Sequence, residues 1–369
     1  MSIYDDLGIQ RIINGSATLT RLGGSLMPPE VLAAMAEAAT AFVDIVELQR
    51  RVGEEIARLT RNEAAYVSCG AAAGLTLTTA AAIAGRDPEL RARLPQTDGL
   101  RNEVIVHSHT RVGYDFAIRM AGGKFVEIGS RAGTTAAELE AAITPRTAAM
   151  FYFARGTEER GELPLETAVE VCRPRGIRVI VDAAAQIPPA SNLWSYTERG
   201  ADASLFSGGK GLRGPQAAGL VLGRKDLIEQ VAFHGPPSPF IGRGMKVGKE
   251  ELCGMLAAVR VYLAQDEAAL LDRYERQVEA VIAAFADDPR VTATRAFPSE
   301  AGQPMPRALL RLDTAALGRS GAQVRAALMA GDPGVAVSAA GEDGLNVNPQ
   351  TLEPGEERIV IQRLREALR

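Results

Sequence analysis

A lysine flanked by glycines is the residue of this chain best suited to covalent chemistry. Lys210 lies between Gly209 and Gly211, after one apolar segment and before another. Glycines allow the backbone to turn sharply and to approach a ligand closely. Burial lowers the pKa of a lysine amine, and the neutral amine can form an imine with a carbonyl compound. Gly211 stands where a Walker A motif has Ser or Thr, so the pattern is not a nucleotide-binding loop of that kind. The flanking glycines and apolar segments indicate instead an imine-forming lysine, and a solvated loop lysine is the alternative.

The second candidate residue is a carboxylate that precedes this lysine in the chain. Asp182 ends the apolar run Ile177–Val181. Ligands of open α/β sheets bind at the carboxyl ends of the strands, so Asp182 is placed to pair with a cationic group there. The small residues Ala183, Ala184 and Ala185 leave space for a flat ligand against the backbone. A carboxylate that caps the next turn is the alternative.

Two further segments combine a strand end with polar chemistry. The segment Cys69-Gly70-Ala71 leads into an alanine-rich helix, whose free N–H groups could bind an anion such as phosphate. Tight packing of that helix on the sheet explains the same small residues. His107 and His109 end another strand, where either ring could stack on a planar cofactor, and Arg111 could bind a carboxylate. No third ligand accompanies the histidines, so we expect no metal site.

These segments are positioned by alternating strands and helices, which predicts an α/β protein with a mainly parallel sheet. The predicted strands of that sheet are Ala65–Ser68, Glu103–His107, Lys124–Ile128, Ala148–Phe153, Arg178–Val181, Ala203–Phe206 and Gly219–Gly223. The helices predicted around them are Pro28–Arg58, Ala71–Ala84, Val112–Ala121, Thr135–Ile143 and Leu165–Arg175. Most of the strands are apolar throughout, as expected for strands buried on both faces.

The pattern changes after Arg224. A passage rich in proline and glycine, His234–Phe240, is followed by a long helical stretch from Lys249 to about Asp287. The predicted strands Ala308–Leu312, Val335–Ser338 and Arg358–Ile361, with helices Ser320–Ala330 and Gln362–Leu368, indicate a small α+β domain. We therefore predict an N-terminal arm (1–27), a large α/β domain (28–240) and a region with the long helix and the small C-terminal domain (241–369).

Composition narrows the class of protein. The 369 residues are 46% hydrophobic and 23% charged, which is enough apolar content for a large core. The net charge of −4 offers no bulk attraction to nucleic acid or anionic membrane, and no window approaches the roughly 18 apolar residues of a membrane span. The three cysteines are widely spaced, which fits reduced thiols in a cytoplasmic protein and no zinc site.

In combination, these residues resemble the site of a fold-type I, aminotransferase-like enzyme that uses pyridoxal 5′-phosphate. More narrowly, the chain is similar to the family that contains selenocysteine synthase (L-seryl-tRNA selenium transferase) and D-glucosaminate-6-phosphate ammonia-lyase. The most specific segments are Ser207–Gly219, Val181–Pro189 and Gly242–Glu251. The resemblance implies a large domain with a seven-stranded sheet, a small C-terminal α+β domain, and a homodimer or higher homo-oligomer with shared sites.

The same resemblance implies a role for each site residue. Lys210 would form the internal aldimine and act as acid and base at Cα, and Asp182 would pair with the pyridinium nitrogen. Cofactor contacts would come from Cys69, Gly70, Ala71, Ala184 and Ser207, with His109 or His107 over the ring face. Substrate contacts would come from Arg111, Gln216, Arg243, Lys246 and Arg363. Cys69 departs from the serine common in this family, which weakens one phosphate contact.

The implied reaction is a β-elimination of the ammonia-lyase type on a small amino acid or amino-sugar acid, through a quinonoid carbanion. Racemisation and aldol cleavage use the same machinery, and the sequence does not separate them from elimination. Transamination also uses it, although this branch of the fold argues against transamination by analogy. Because the chain begins close to Asn14, we expect it to lack the N-terminal module with which the selenium transferase binds tRNA. With the negative net charge, this argues for a small-molecule substrate rather than a tRNA-bound one. A non-catalytic homologue with an empty site is the remaining alternative.

Overall fold

A computed structural model describes residues 2–155 and 161–369. It contains two compact units, one formed by Met27–Ala264 and the other by Met1–Leu26 together with Gln265–Arg369. In chain order the strands are β1 Ile12–Gly15, β2 Ala64–Ser68, β3 Glu103–His107, β4 Lys124–Ile128, β5 Thr147–Phe153, β6 Arg178–Asp182, β7 Ala203–Ser207, β8 Gly219–Gly223, β9 Val291–Ala296, β10 Arg307–Leu312, β11 Gly334–Ala339 and β12 Gly344–Val347.

The helices complete the element order. They are α1 Ile3–Asp6, α2 Pro29–Ala39, α3 Ile45–Leu59, α4 Gly70–Ala84, α5 Pro88–Arg93, α6 Phe116–Met120, α7 Ala136–Ala142, α8 Leu165–Cys172, α9 Asn192–Glu198, α10 Lys225–His234, α11 Lys249–Ala264, α12 Glu267–Ala283, α13 Thr314–Leu317, α14 Gly321–Met329 and α15 Glu356–Ala367. Among the described residues, no helix is both long enough and apolar enough to cross a membrane.

The larger unit is built on a seven-stranded sheet in the order β2-β8-β7-β6-β5-β3-β4. The neighbours from β7 to β4 pair in parallel, and β8 runs antiparallel to both β2 and β7. Strands β3 and β5 are buried along their whole length, as their apolar sequences predict. The predicted mainly parallel sheet is confirmed, and the carboxyl ends of all its strands except β8 lie at one edge.

Three of the predicted helical stretches differ from the helices in the structure. The helix predicted over Pro28–Arg58 is two helices, because Asp44 accepts hydrogen bonds from the backbone N–H groups of Val46 and Glu47 and so begins α3 anew. The stretch from Lys249 to Asp287 is likewise divided, since the Asp266 carboxylate caps the start of α12. Of the helix predicted over Val112–Ala121, only Phe116–Met120 is α-helical.

The smaller unit has a five-stranded sheet in the order β1-β11-β12-β10-β9, in which only the β1–β11 pair is parallel. Strands β1, β9 and β12 were not predicted. The strand predicted at Arg358–Ile361 is wrong, because these residues lie within α15. Gly355 begins that helix in the left-handed conformation (φ 93°), and Glu356 and Glu357 in the first turn favour the helix dipole.

The two units do not coincide with the predicted boundaries. Strand β1 pairs with β11, and the N-terminal segment is part of the smaller unit. Helix α11 packs on α2 and α3, which makes residues 241–264 part of the larger unit. Local sequence patterns do not carry this information, because both assignments depend on contacts between distant segments, such as that of Ile12 with Gly334.

Candidate active site

The polar strand ends of the larger unit meet at one edge of the sheet. Asp182, at the end of β6, pairs in register with Leu205 of β7 and with Phe153 of β5. Ser68 and Ser207 pair with Gly219 from its two sides. The loop that carries Lys210 begins directly after Ser207. Strand pairing therefore brings residues that are distant in the sequence to one edge.

Lys210 and Asp182 form an electrostatically coupled, largely buried pair. Burial raises the pKa of the Asp182 carboxyl, whereas the hydrogen bond from the Ala184 N–H (3.0 Å) and the charge of Lys210 lower it. Burial lowers the pKa of the Lys210 amine against the opposing effect of Asp182. The described structure shows no hydrogen bond between the two side chains. Asp182 is thus buried and Lys210 half-buried, without a direct bond to each other, as expected for groups that bind a ligand between them.

The glycine loop around Lys210 is closely packed. A Cβ on Gly209 would collide with both the side chain and the backbone of Gln216, which places Gln216 against the lysine loop. A Cβ on Gly211 would collide with the carbonyl oxygen of Ile187 in the segment that follows Asp182. The glycines therefore let the lysine loop lie directly on the backbone of its neighbours.

The first turn of α4 is open to an anion. Cys69 stands at the N-cap position, and its side chain makes no capping hydrogen bond. A Cβ on Gly219 would lie 2.6 Å from the carbonyl carbon of Gly70 and 2.8 Å from the backbone nitrogen of Ala71. Strand β8 therefore lies so close to the start of the helix that a side chain at position 219 would collide with the helix backbone. Burial, followed by the charge of Glu251, raises the pKa of the Cys69 thiol.

The two histidines have different environments. His107 is fully buried, and its Nε2 accepts a hydrogen bond from the Leu163 N–H (3.2 Å). Burial and then the neighbouring His109 lower the pKa of His107 to about 4, so its ring is neutral. Both ring nitrogens of His109 are buried without a hydrogen-bond partner in the described structure, and Nε2 lies 3.9 Å from Oε2 of Glu162. Of the two, His109 is the ring available to a ligand.

The positive charge of Arg111 is already neutralised by two carboxylates. Its guanidinium pairs with Asp115 (2.6 Å) and Glu127 and stacks on the Phe125 ring at 4.0 Å. Arg155 was not among the predicted site residues; it follows β5 at the same sheet edge and donates a hydrogen bond to the carbonyl oxygen of Thr110 (3.0 Å). Arg155 follows an apolar strand, as Asp182 does, and this feature of the sequence could have marked it as a candidate site residue. Glu162 was also missed, and no local motif marks it.

The remaining predicted site residues lie in other segments of the chain. Arg243 and Lys246 are exposed in the segment between α10 and α11. Arg363 lies within α15 of the smaller unit, where it pairs with Glu366, and not at a strand-to-helix junction. Among the described residues, no group of three or more His, Cys, Asp or Glu side chains could hold a metal ion.

Comparisons with known proteins agree with this arrangement. The family model for L-seryl-tRNA selenium transferase (SelA) matches residues 12–276. A 5′-C-glycyluridine monooxygenase-decarboxylase from Streptomyces sp. is 34% identical over 99% of this chain and 92% of its own. A D-glucosaminate-6-phosphate ammonia lyase from Salmonella typhimurium (strain 14028s / SGSC 2262) is 33% identical over 99% of this chain and 97% of its own.

Solved structures of similar fold include an ammonia-lyase of this kind. A D-glucosaminate-6-phosphate ammonia-lyase superposes with a TM-score of 0.86 at 32% identity, over 100% of this chain and 98% of that chain. A serine palmitoyltransferase from S. paucimobilis has a TM-score of 0.60 at 14% identity, over 97% of this chain and 87% of that chain, and it shares the fold alone. The architecture is therefore fold-type I, as the sequence predicts.

Proposed function

The chain belongs to the L-seryl-tRNA selenium transferase (SelA) family, and on that premise we propose that it is a pyridoxal-phosphate-dependent lyase. Its substrate would be a small amino acid or amino-sugar acid, from which it removes the Cα proton and a β-substituent. The observation that carries the proposal is the pair of buried Asp182 and half-buried Lys210, which are not bonded to each other, at the carboxyl edge of the sheet. Two relatives at 33% and 34% identity over nearly the whole chain are enzymes.

The residues present fit the cofactor. The uncapped first turn of α4, at Cys69, Gly70 and Ala71, offers backbone N–H groups to the phosphate, and Ser207 lies beside it across Gly219. The buried, unpartnered ring of His109 suits a flat aromatic group. The small side chain of Ala184, whose backbone N–H bonds to Asp182, would leave space for the ring. When bound, pyridoxal phosphate would supply an aldehyde for the substrate amine and a ring that delocalises the electron pair left at Cα.

The chain's own residues would then hold and move the protons. Burial lowers the pKa of the Lys210 amine, which favours the neutral form that would accept the Cα proton. The Asp182 carboxylate, whose pKa is raised because burial deprives it of water, would gain a stabilising partner in a cationic ring nitrogen. Arg155 is the best-placed cation for a substrate carboxylate or phosphate, because among the described residues its guanidinium is bonded only to backbone carbonyl oxygens.

Racemisation and aldol cleavage would use the same residues, so the lyase assignment depends on the relatives. A D-glucosaminate-6-phosphate ammonia-lyase matches in sequence and in structure over nearly the whole of both chains. A second candidate, oxidative decarboxylation of an amino acid, is favoured by the monooxygenase-decarboxylase at 34% identity. Selenium transfer to seryl-tRNA is disfavoured by the net charge of −4.

An absorption screen tests the proposed function. The purified protein, saturated with pyridoxal phosphate, is scanned against D- and L-amino acids that carry β-hydroxy, amino-sugar or α-substituted groups. We expect a visible spectral change with a few compounds, and release of ammonia and a 2-oxo acid from those compounds without oxygen uptake. Oxygen uptake with release of carbon dioxide would instead select the decarboxylase. No cofactor absorption under any condition would contradict both.

We also propose that the active sites are shared between subunits of a homodimer. Arg243 and Lys246 are exposed cations that follow a Pro/Gly-rich segment, and each would reach the substrate of a neighbouring copy.

We further propose that the protein is cytoplasmic. Its three cysteines are free thiols, which supports this location.

Subunit complementation checks the shared site. Lys210→Ala and Arg243→Ala/Lys246→Ala chains, each inactive alone, are coexpressed with different tags. Random pairing should restore about a quarter of the wild-type rate, because half of the dimers are mixed and each mixed dimer has one intact site. Both double-tagged and single-tagged dimers are assayed after affinity separation. Mixed dimers no more active than their parents would mean that each site is built from one chain.

A further inference from the structure

Glu162 and His109 are buried side chains that the proposed mechanism leaves without a proton-transfer role. The Glu162 side chain is 3% exposed and that of His109 is 6% exposed, and the Oε2 and Nε2 atoms are 3.9 Å apart. In the described structure neither of these atoms has a hydrogen-bond partner, and His109 Nδ1 has none either. Buried polar atoms normally have a partner, so an unpartnered pair at a ligand-binding edge indicates groups that act on the ligand.

Local packing fixes the position of the pair. Leu163, the residue after Glu162, donates its backbone N–H to Nε2 of His107. Thr134 donates its hydroxyl to the carbonyl oxygen of Gly161, the residue before Glu162. His109 follows the end of β3, which pairs with β5, and β5 pairs with the strand that ends at Asp182. The acid is therefore held on a supported segment at the same edge as the cofactor residues.

We propose that Glu162 and His109 together deliver the proton that the leaving group at Cβ requires. The pair shares one transferable proton, either as imidazolium with carboxylate or as neutral ring with carboxylic acid. This inference rests on the proposed lyase function. It assigns a second proton-transfer centre, distinct from the Lys210 amine, to the same site.

The proton balance of the step is complete. Lys210 accepts the Cα proton, the electron pair of that bond forms the Cα–Cβ double bond, and the Cβ–O bond breaks. The leaving oxygen takes its bonding pair and one proton from the Glu162–His109 pair, and departs as water. Hydrolysis of the released enamine consumes one water and gives the 2-oxo acid and ammonia. Lys210 then releases its proton to solvent, and the pair takes one up.

His107 cannot supply this proton. Burial, followed by the adjacent His109, lowers the pKa of His107 to about 4, and its Nε2 is already an acceptor for the Leu163 N–H. The ring centroids of the two histidines are 6.0 Å apart, and His107 also packs edge-on against Tyr152 at 5.4 Å. The nearby cation Arg155 is bonded to the carbonyl oxygen of Thr110. Among the described neighbours, Glu162 is thus the acid that faces His109.

Leaving groups of different basicity test the proposal. The probes are the D and L forms of serine, whose hydroxyl must be protonated to leave, and of β-chloroalanine, whose chloride leaves without a proton. Glu162→Gln should slow pyruvate release from serine by about 10²-fold or more and from β-chloroalanine by less than about 3-fold. His109→Phe keeps a flat ring without a transferable proton, and it should show the same selectivity. Glu279→Gln, an exposed change on α12, is the matched control.

A merely structural role predicts a different result. Glu162→Gln would then slow both probes equally, together with Cα-proton exchange in D₂O, and the inference would be overturned. The selective loss, with Cα exchange retained and with a changed pH profile on serine alone, supports it. If the wild-type holoenzyme exchanges no Cα proton and eliminates neither from these probes nor from any compound of the absorption screen, the lyase function itself fails, and this inference fails with it.

Discussion

Lys210→Ala is expected to reduce Cα-proton exchange by at least about 10³-fold, because it removes the amine that we propose both binds the cofactor and moves the proton. The variant should fold normally. The removed amine is largely buried, and burial of that amine lowers its pKa, so its loss removes an unfavourable desolvation. Exchange in D₂O, followed by NMR of the substrate, measures the effect directly.

Two controls make this result specific. Lys225→Ala removes an exposed lysine at the start of α10 and should leave the rate unchanged. Borohydride reduction should attach the cofactor covalently to the peptide that contains Lys210 in the wild type, and to no peptide in the variant. A small primary amine added to Lys210→Ala should restore part of the exchange. Turnover at the wild-type rate by this variant would rule out the mechanism.

Asp182→Asn should lower the rate of Cα exchange by about 10²- to 10³-fold while the cofactor still binds. The amide oxygen of asparagine can still accept the hydrogen bond from the Ala184 N–H, so the local geometry is kept. What is lost is the buried negative charge that would hold a proton on the ring nitrogen. Cofactor affinity is measured by fluorescence titration, and exchange is measured as for the lysine variant.

Stability separates the catalytic role of Asp182 from a structural one. Burial raises the pKa of this carboxyl, so the ionised form is disfavoured in the fold. Replacing it by a neutral isostere should therefore leave the melting temperature of the apoprotein unchanged or raise it slightly. Added amines should not rescue Asp182→Asn, in contrast to Lys210→Ala. Unchanged activity, or a strongly lowered melting temperature, would mean that the carboxylate serves mainly to cap the turn after β6.

The sequence predicted the central sheet because its strands are short, apolar and separated by helices of clear period. All seven predicted strands of the larger unit are present, and β3, β4 and β8 have the predicted bounds. It did not predict β1, β9 or β12, or the helical state of Arg358–Ile361. The missed strands lie in the smaller unit, where a segment such as β1 is extended because it pairs with a distant strand, Ile12 lying opposite Gly334.

The sequence by itself also determined that Asp182 ends a buried strand and that Lys210 lies in a glycine loop, since strand ends and glycine spacing are local signals. Only the tertiary structure decided which charged residues are free to act. Arg111 is neutralised by Asp115 and Glu127, whereas Arg155 has no carboxylate partner within the described chain, and no local pattern distinguishes the two. Glu162 meets His109 from a distant part of the chain, because parallel strands bring separate loops to one edge. Burial and ion pairing depend on which residues lie next to each other in the folded chain, and local sequence does not specify those neighbours.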